Sequence, residues 1–227
     1  MAILNEPAFN PECFELMQKL VEYRQDSPVH DQIWKADRHS MLHVDVLALI
    51  HHFAKAGEGD ILEIGSFVGG STIAAALGAR DSGKTKKIIS IEVGGRLKNH
   101  RLATRNIFKQ LKKNLAHFGV VEAVTLINGA SYDENTIAAV RQALGPKGVG
   151  LFIFDADNNV RRDIDCYGDR LADRCWVVID DYFGGSEKTG PIREQVDELI
   201  ASGRLLQLGF YGWGTWIGRW QGAPISA

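Results

Sequence analysis

Acidic residues fall in two tight groups in this 227-residue chain, Asp155-Ala156-Asp157 and Asp180-Asp181. Each group directly follows a short apolar run, Val149 to Phe154 and Trp176 to Ile179, of the kind that forms a buried strand. If the two strands are parallel neighbours, their carboxyl ends lie about 5 Å apart and four carboxylates crowd one mouth. Like charges that close do not all stay ionised without a counter-ion. A hard divalent cation resolves the conflict, and an all-oxygen donor set points to Mg2+ rather than zinc. The competing reading has these acids capping the following helices or pairing with Arg161, Arg162 or Arg193.

A second group lies upstream, in Glu63-Ile64-Gly65-Ser66-Phe67-Val68-Gly69-Gly70-Ser71. It follows the apolar run Ile61 to Ile64 and leads into a helical pattern over Thr72 to Leu77. Glycines let the chain turn sharply and approach a ligand. The amides of the helix start suit an anionic or carboxylate group. Phe67 stands at the second glycine position of a dinucleotide-type G-x-G-x-x-G turn, which argues against a pyrophosphate cradle. Glu92 ends the next apolar run, Lys87 to Ile91, and a carboxylate there can accept both hydroxyls of a ribose. Asn128-Gly129-Ala130-Ser131-Tyr132-Asp133 ends a third run, Ala123 to Ile127. Ser131 either reads an adenine edge or caps a helix, and the spacing leaves both open.

These residues need a frame to hold them. Strand patterns at 61–64, 87–91, 123–127, 149–154 and 176–179 alternate with helical patterns at 72–77, 97–118, 134–144 and 191–201. Such alternation implies a mostly parallel sheet covered on both faces, with ligands at the carboxyl ends of its strands. Two last strands, 205–211 and 215–220, lack an intervening helix and read as an antiparallel pair closing one edge. Residues 1–58 read as an N-terminal helical cap on a core spanning 59–227, in one compact domain. Asn10 precedes Pro11 as a helix cap, and Ser40 is placed to cap a second helix. Residues 24–39 are polar and aperiodic, which fits a surface connection or a lid.

Composition narrows the class. Apolar residues make up 45% and charged residues 24%, values that fit a globular chain and exclude disorder or a coiled coil. A net charge of −2 argues against a protein built as a whole to coat nucleic acid. Three cysteines, Cys13, Cys166 and Cys175, form no zinc spacing and suit a reducing cytoplasm. The start carries Glu6 and Pro7 in place of a basic, then apolar, leader, and no apolar run approaches membrane-spanning length.

The glycine turn, Glu92, Gly129-Ala130-Ser131-Tyr132-Asp133 and the two acidic strand ends together resemble class I S-adenosylmethionine-dependent O-methyltransferases of the metal-dependent kind. The glycine turn and the 129–133 segment are similar to the catechol enzymes, and Phe154-Asp155-Ala156-Asp157 with Ile179-Asp180-Asp181-Tyr182 to macrocin-type sugar enzymes. The resemblance implies a Rossmann-like α/β fold with a seven-stranded, mostly parallel sheet and one antiparallel edge strand. It implies that Glu63, Gly65, Phe67, Gly69 and Ser71 seat the methionine end of S-adenosylmethionine, Glu92 the ribose, and Ser131 and Tyr132 the adenine. Asp155, Asp180 and Asp181 would ligate Mg2+, with Asp155 also at the cofactor. Asp157 would match the general base of the sugar enzymes. Ala156 departs from their glycine, and Asn158 stands where the catechol enzymes carry a lysine. The acceptor implied is a small hydroxylated molecule, a sugar moiety or a catechol-like compound, methylated by in-line transfer.

Three further features carry weaker signals. Arg96, Lys98, Arg101, Arg105, Lys109, Lys112 and Lys113 occur with no acid among them. A solvated helix face is the preferred reading, and an RNA-directed methyltransferase the alternative. The stretch Phe210 to Trp220 is dense in aromatics, read as core packing or a homodimer contact, with Trp216 and Trp220 on one strand face. His51 and His52 are adjacent on a helix and so do not converge on one metal.

Overall fold

The computed structural model describes residues 10–222, so Glu6 and Pro7, invoked above against a leader, lie outside them. Three helices come first: α1 (Pro11–Gln25), α2 (Ser27–Asp37) and α3 (Val44–Ala56). Asn10 caps α1, its side chain accepting the Glu12 amide at 3.0 Å, with Pro11 at the first position. The segment read as a surface connection or lid is instead largely the helix α2. Pro28 sits in its first turn, and Val29, Ile33 and Ala36 place one apolar face inward. That sparse, strongly polar pattern hides its period until the buried side is known. The cap of α3 is His43, whose Nδ1 accepts the Asp45 amide at 3.1 Å. Ser40, the expected cap, instead accepts the Leu42 amide in the turn before it.

Seven strands follow: β1 (Asp60–Ile64), β2 (Ile88–Glu92), β3 (Val124–Asn128), β4 (Val149–Phe154), β5 (Leu171–Ile179), β6 (Leu205–Tyr211) and β7 (Thr215–Trp220). They form one sheet in the order β3-β2-β1-β4-β5-β7-β6. The first five are parallel, and β7 runs antiparallel between β5 and β6, so the last pair closes the edge as its missing helix implies. Strand order reverses between β1 and β4, the place where such sheets open a ligand crevice at their carboxyl ends.

Alternation along the strands sorts the core into two layers. Ile61, Leu151, Ile153 and Val178 face α1 to α3, α4 (Gly70–Asp81) and α5 (Ile107–His117). Leu62, Ile64, Phe152, Phe154 and Val177 face α6 (Glu134–Ala143), α7 (Val160–Tyr167) and α8 (Thr189–Ala201). The N-terminal helices thus share the sheet's own core. Trp216 and Trp220 are buried in the second layer, which is the packing role expected of them.

One helix expectation fails over half its length. The helix read at 97–118 begins at Ile107, capped by Asn106, whose side chain accepts the Lys109 amide at 2.8 Å. Gly94, Gly95 and Asn99 adopt left-handed backbone, which a helix excludes, and Leu97 pairs with Thr104 in a short antiparallel bridge. Residues 97–104 therefore form a small hairpin beside the sheet.

Candidate functional site

The glycine turn after β1 is held from both sides. Gly65 and Gly69 have φ of 88° and 100°, and Phe67 is also left-handed at 47°. A side chain at Gly65 would collide with the carbonyl of Asp155, so glycine is what lets the turn lie against the end of β4. Glu92 fixes the turn. Its two carboxylate oxygens accept the amides of Phe67 at 2.7 Å and Gly94 at 2.8 Å. Burial pushes its pKa up, and the two amide bonds oppose that shift. The backbone of the turn and the carboxylate facing it therefore form one unit.

Glu63 lies behind this turn, 1% exposed. Its carboxylate accepts the hydroxyls of Ser71 at 2.5 Å, Thr72 at 2.5 Å and Ser90 at 2.7 Å. Glu63 and the Ser71 hydroxyl are thus spent on each other, pinning the start of α4 to β1 and β2. The missed partners, Thr72 and Ser90, are small residues that gave no signal until the strands were paired.

The ends of β4 and β5 bring Asp155, Asp180 and Asp181 together, with one carboxylate oxygen from each within 4.8 Å of the others. The pairing Phe154↔Ile179 puts both acidic ends level. Burial, and then the neighbouring charge of Asp180, raise the pKa of Asp155 well above the usual carboxylate range. Burial likewise raises Asp180, opposed by the Thr215 hydroxyl it accepts at 2.6 Å. Asp181 has left-handed backbone at φ 59°, accepts the Ser186 hydroxyl at 3.1 Å, and lies 3.5 Å from Lys188 Nζ. Lys188 also donates to the Ala156 carbonyl at 2.5 Å, so a cation from α8's approach already leans over the acids. Three oxygen donors in mutual conflict fit a hard dication.

Asp157 stands apart from these three. Arg162 holds it through two bonds at 2.9 and 3.2 Å, and its own Oδ1 accepts the Asn159 amide. The same guanidinium donates to buried Asp163 at 2.7 Å and lies 4.0 Å over the centre of the Tyr132 ring. Tyr132 is half exposed beside the end of β3, and buried Ser131 accepts the Tyr167 hydroxyl through its carbonyl at 2.5 Å. Ser131 is not the cap of α6, a position held by Asp133. Arg162 joins these pieces. Pairing of a strand-end acid with one of the arginines named above is thus seen for Asp157, with Arg162.

The profile of a methyltransferase-domain family matches residues 62–182, from β1 through the second acidic strand end. The chain belongs to this methyltransferase family. Among solved structures, the O-methyltransferase TomG from Streptomyces achromogenes, solved with S-adenosylmethionine, is similar at 15% identity and a TM-score of 0.58, covering 97% of this chain and 93% of that one. A methyltransferase from Podospora anserina, solved with S-adenosylhomocysteine, is similar at 18% identity and a TM-score of 0.59, covering 91% and 87%. The O-methyltransferase NovP is similar at 16% identity and a TM-score of 0.61, covering 82% of each. At these identities the likeness is one of fold, the class I methyltransferase fold. No curated protein matches the chain significantly. In this methyltransferase the matched span carries the turn, Glu92 and the three strand-end aspartates. Among the described residues no helix is long and apolar enough to cross a membrane.

Proposed function

We propose that the methyltransferase uses S-adenosylmethionine and Mg2+ to methylate a hydroxyl of a small molecule, a sugar moiety or a catechol-like compound. The observation that carries this reading is the level placement of Asp155, Asp180 and Asp181 at the ends of β4 and β5, next to the glycine turn that ends β1, with Glu92 on the far side of that turn at the end of β2. Asp155 and the turn touch, since the Asp155 amide donates to the Ile64 carbonyl at 2.9 Å. A cofactor seated on the turn would therefore present its methyl group close to whatever the acids hold. The three unpaired cysteines suit a reducing, cytoplasmic setting.

In this reading each group has one task. The turn from Gly65 to Gly69 receives the methionine end, and Glu92 keeps lone pairs free for the ribose hydroxyls beyond its two amides. Ser131 and Tyr132 border the adenine. Asp155, Asp180 and Asp181 would hold Mg2+, which when bound lowers the pKa of an acceptor hydroxyl and orients it. Orientation on the methyl axis supplies much of the rate in a displacement that needs little other chemistry. Asp157, once drawn off Arg162, takes the acceptor proton.

The test is calorimetry with S-adenosylhomocysteine and with Mg2+ on the wild type and on an Asp155→Ala, Asp180→Ala variant. The wild type should bind both, and the variant should lose Mg2+ while it stays folded. Cofactor binding with no Mg2+ binding in the wild type would end the metal-dependent reading and leave the methyltransferase.

A further inference from the structure

Between Glu92 and α5, residues 93–106 make a loop far longer than the roughly two to six residues usual between a strand and its helix. Long ordered loops at strand ends of this kind commonly serve a site. This one is ordered by its own bonds. The Gly94 amide donates to Glu92, the Ile107 amide closes the base on the Gly95 carbonyl at 3.0 Å, and Leu97 pairs with Thr104. Its far end is tied across the molecule, where Arg101 donates to the carbonyl of Ser40.

That tie places the hairpin on the rim of the site. The Gly70 amide, at the start of α4, donates to the His39 carbonyl at 3.1 Å, so residues 39–40 sit beside the glycine turn. His43 then meets Trp213 at the tip of the β6–β7 hairpin, ring centres 5.2 Å apart. The Phe183 amide joins that tip, through the Gly214 carbonyl at 3.0 Å, to the segment following Asp180 and Asp181. The contacts thus run in a continuous arc from Glu92 to the acids. The basic hairpin leaves the end of β2, and the acids lie at the ends of β4 and β5, two and three strand spacings from it, roughly 10–14 Å.

Of the hairpin's cations, Arg101 is the one tied to the rest of the described residues, through the Ser40 carbonyl. Arg96, Lys98, Arg101 and Arg105 are exposed, and among the described residues none of them lies within an ion pair's reach of a carboxylate. Most of the lysines and arginines outside 96–113 do make such a pair, in a chain of net charge −2. A cluster of exposed cations on the rim of an acid-floored mouth attracts an anion.

We propose that the methyl acceptor is an elongated hydroxylated molecule with an anionic group, phosphate or carboxylate, roughly 10–15 Å from the reacting oxygen, and that Arg96, Lys98 and Arg105 bind it. This rests on the reading of the site as an O-methyltransferase centre and names its substrate class. An extended nucleic acid is less well served, because the acids at the other end of the arc would repel its backbone.

The experiment measures binding of inorganic phosphate and of benzoate to protein saturated with S-adenosylhomocysteine and Mg2+. It compares the wild type, an Arg96→Ala, Lys98→Ala, Arg105→Ala variant, and a Lys112→Ala, Lys113→Ala variant on the outer face of α5. The wild type should bind at least one probe, with the tighter probe naming phosphate or carboxylate as the source. The triple variant should bind it at least tenfold more weakly, and the α5 variant as the wild type does. Binding should fade as salt shortens the reach of the exposed charges. Absence of binding to the wild type, or equal binding by the triple variant, would overturn the proposal. So would a 20-nucleotide RNA that binds more tightly than either probe and is lost in the α5 variant. Binding of S-adenosylhomocysteine in the same titrations separates the cases: its failure removes the functional reading itself, whereas its success without anion binding removes only the acceptor class.

Discussion

Two sets of acids, one buried and one half-buried, lie at the carboxyl ends of neighbouring strands, and they are treated in opposite ways. Glu63 at the end of β1 is enclosed by three hydroxyls, from Ser71, Thr72 and Ser90. Asp155, Asp180 and Asp181 at the ends of β4 and β5 share two hydroxyls and the edge of one lysine, and Asp155 accepts from no side chain. Burial raises the pKa of Glu63 and of Asp155 alike, but for Glu63 three hydroxyl bonds oppose it ahead of a lesser like-charge contribution from Glu92, whereas for Asp155 the charge of Asp180 comes directly after burial. A satisfied buried carboxylate is architecture. A set left in conflict needs something from outside.

The largest effect expected from this contrast is on Glu63. Glu63→Ala strands three buried hydroxyls and opens a cavity under the start of α4. A loss of about 3–5 kcal/mol in unfolding free energy is expected, from unsatisfied buried donors at about 1–3 kcal/mol each, part of which find new partners, together with the cavity. Denaturant unfolding checks it. Glu63→Gln, which keeps the shape and one acceptor, should cost about half as much. A loss under about 1 kcal/mol for Glu63→Ala would mean the cage is not structural and would erase the difference between the two sets.

The opposite sign is expected at the other end. An Asp155→Asn, Asp180→Asn variant keeps shape and removes repulsion, so without metal it should be as stable as the wild type or more so. Adding Mg2+ should raise the wild-type melting temperature and leave the variant unmoved. At a hundredfold excess over its dissociation constant the ion adds about 2.7 kcal/mol. Thermal unfolding with and without Mg2+ reads both halves. A variant that melts well below the metal-free wild type would show that the acids serve the fold as Glu63 does.

How much of this was legible beforehand differs between the two sets. The aspartates end apolar runs in pairs, so their strand positions and the convergence of Asp155, Asp180 and Asp181 were expected from spacing in a parallel sheet, whereas Asp157, expected at the same mouth, pairs with Arg162 instead. The role of Glu63 did not. It reads as a member of the glycine turn, and only the pairing Glu63↔Ser90 between β1 and β2 shows that its partners are hydroxyls of the fold. The same limit hid α2, whose three inward residues Val29, Ile33 and Ala36 are sparse in a polar stretch, and produced the overlong helix at 97–118. Basic residues and an apolar Leu97 keep a helical rhythm there, but Gly94, Gly95 and Asn99 take left-handed backbone that only tertiary ties reward. Local pattern finds elements that carry their own core face. Elements stabilised by what they reach across to, as Arg101 reaches Ser40, are decided by the assembled molecule.

The smallest expected effect is also the most specific to the conflict among the acids. Asp155 has a folded pKa above its ordinary value of 3.8, so it takes up a proton in the folded chain before it does so unfolded. Metal-free stability should therefore gain from this group as pH falls through the raised value, and the gain should stop as the unfolded chain protonates near 3.8. Asn at 155 is neutral throughout and removes that dependence. The difference in stability between wild type and Asp155→Asn should move in favour of the wild type on going from pH 8 to pH 5, by at most about 1.4 kcal/mol per pH unit for a single proton. Saturating Mg2+ should flatten the slope, because the ion stabilises the charged form and brings the pKa back down. Glu63 offers the control. Its hydroxyl cage favours the charged carboxylate and opposes burial, so Glu63→Gln should alter the level of stability without a comparable response to Mg2+. A pH slope that survives Asp155→Asn unchanged would place the titrating group elsewhere. One that Mg2+ leaves untouched would separate the acids from the ion they are arranged to hold.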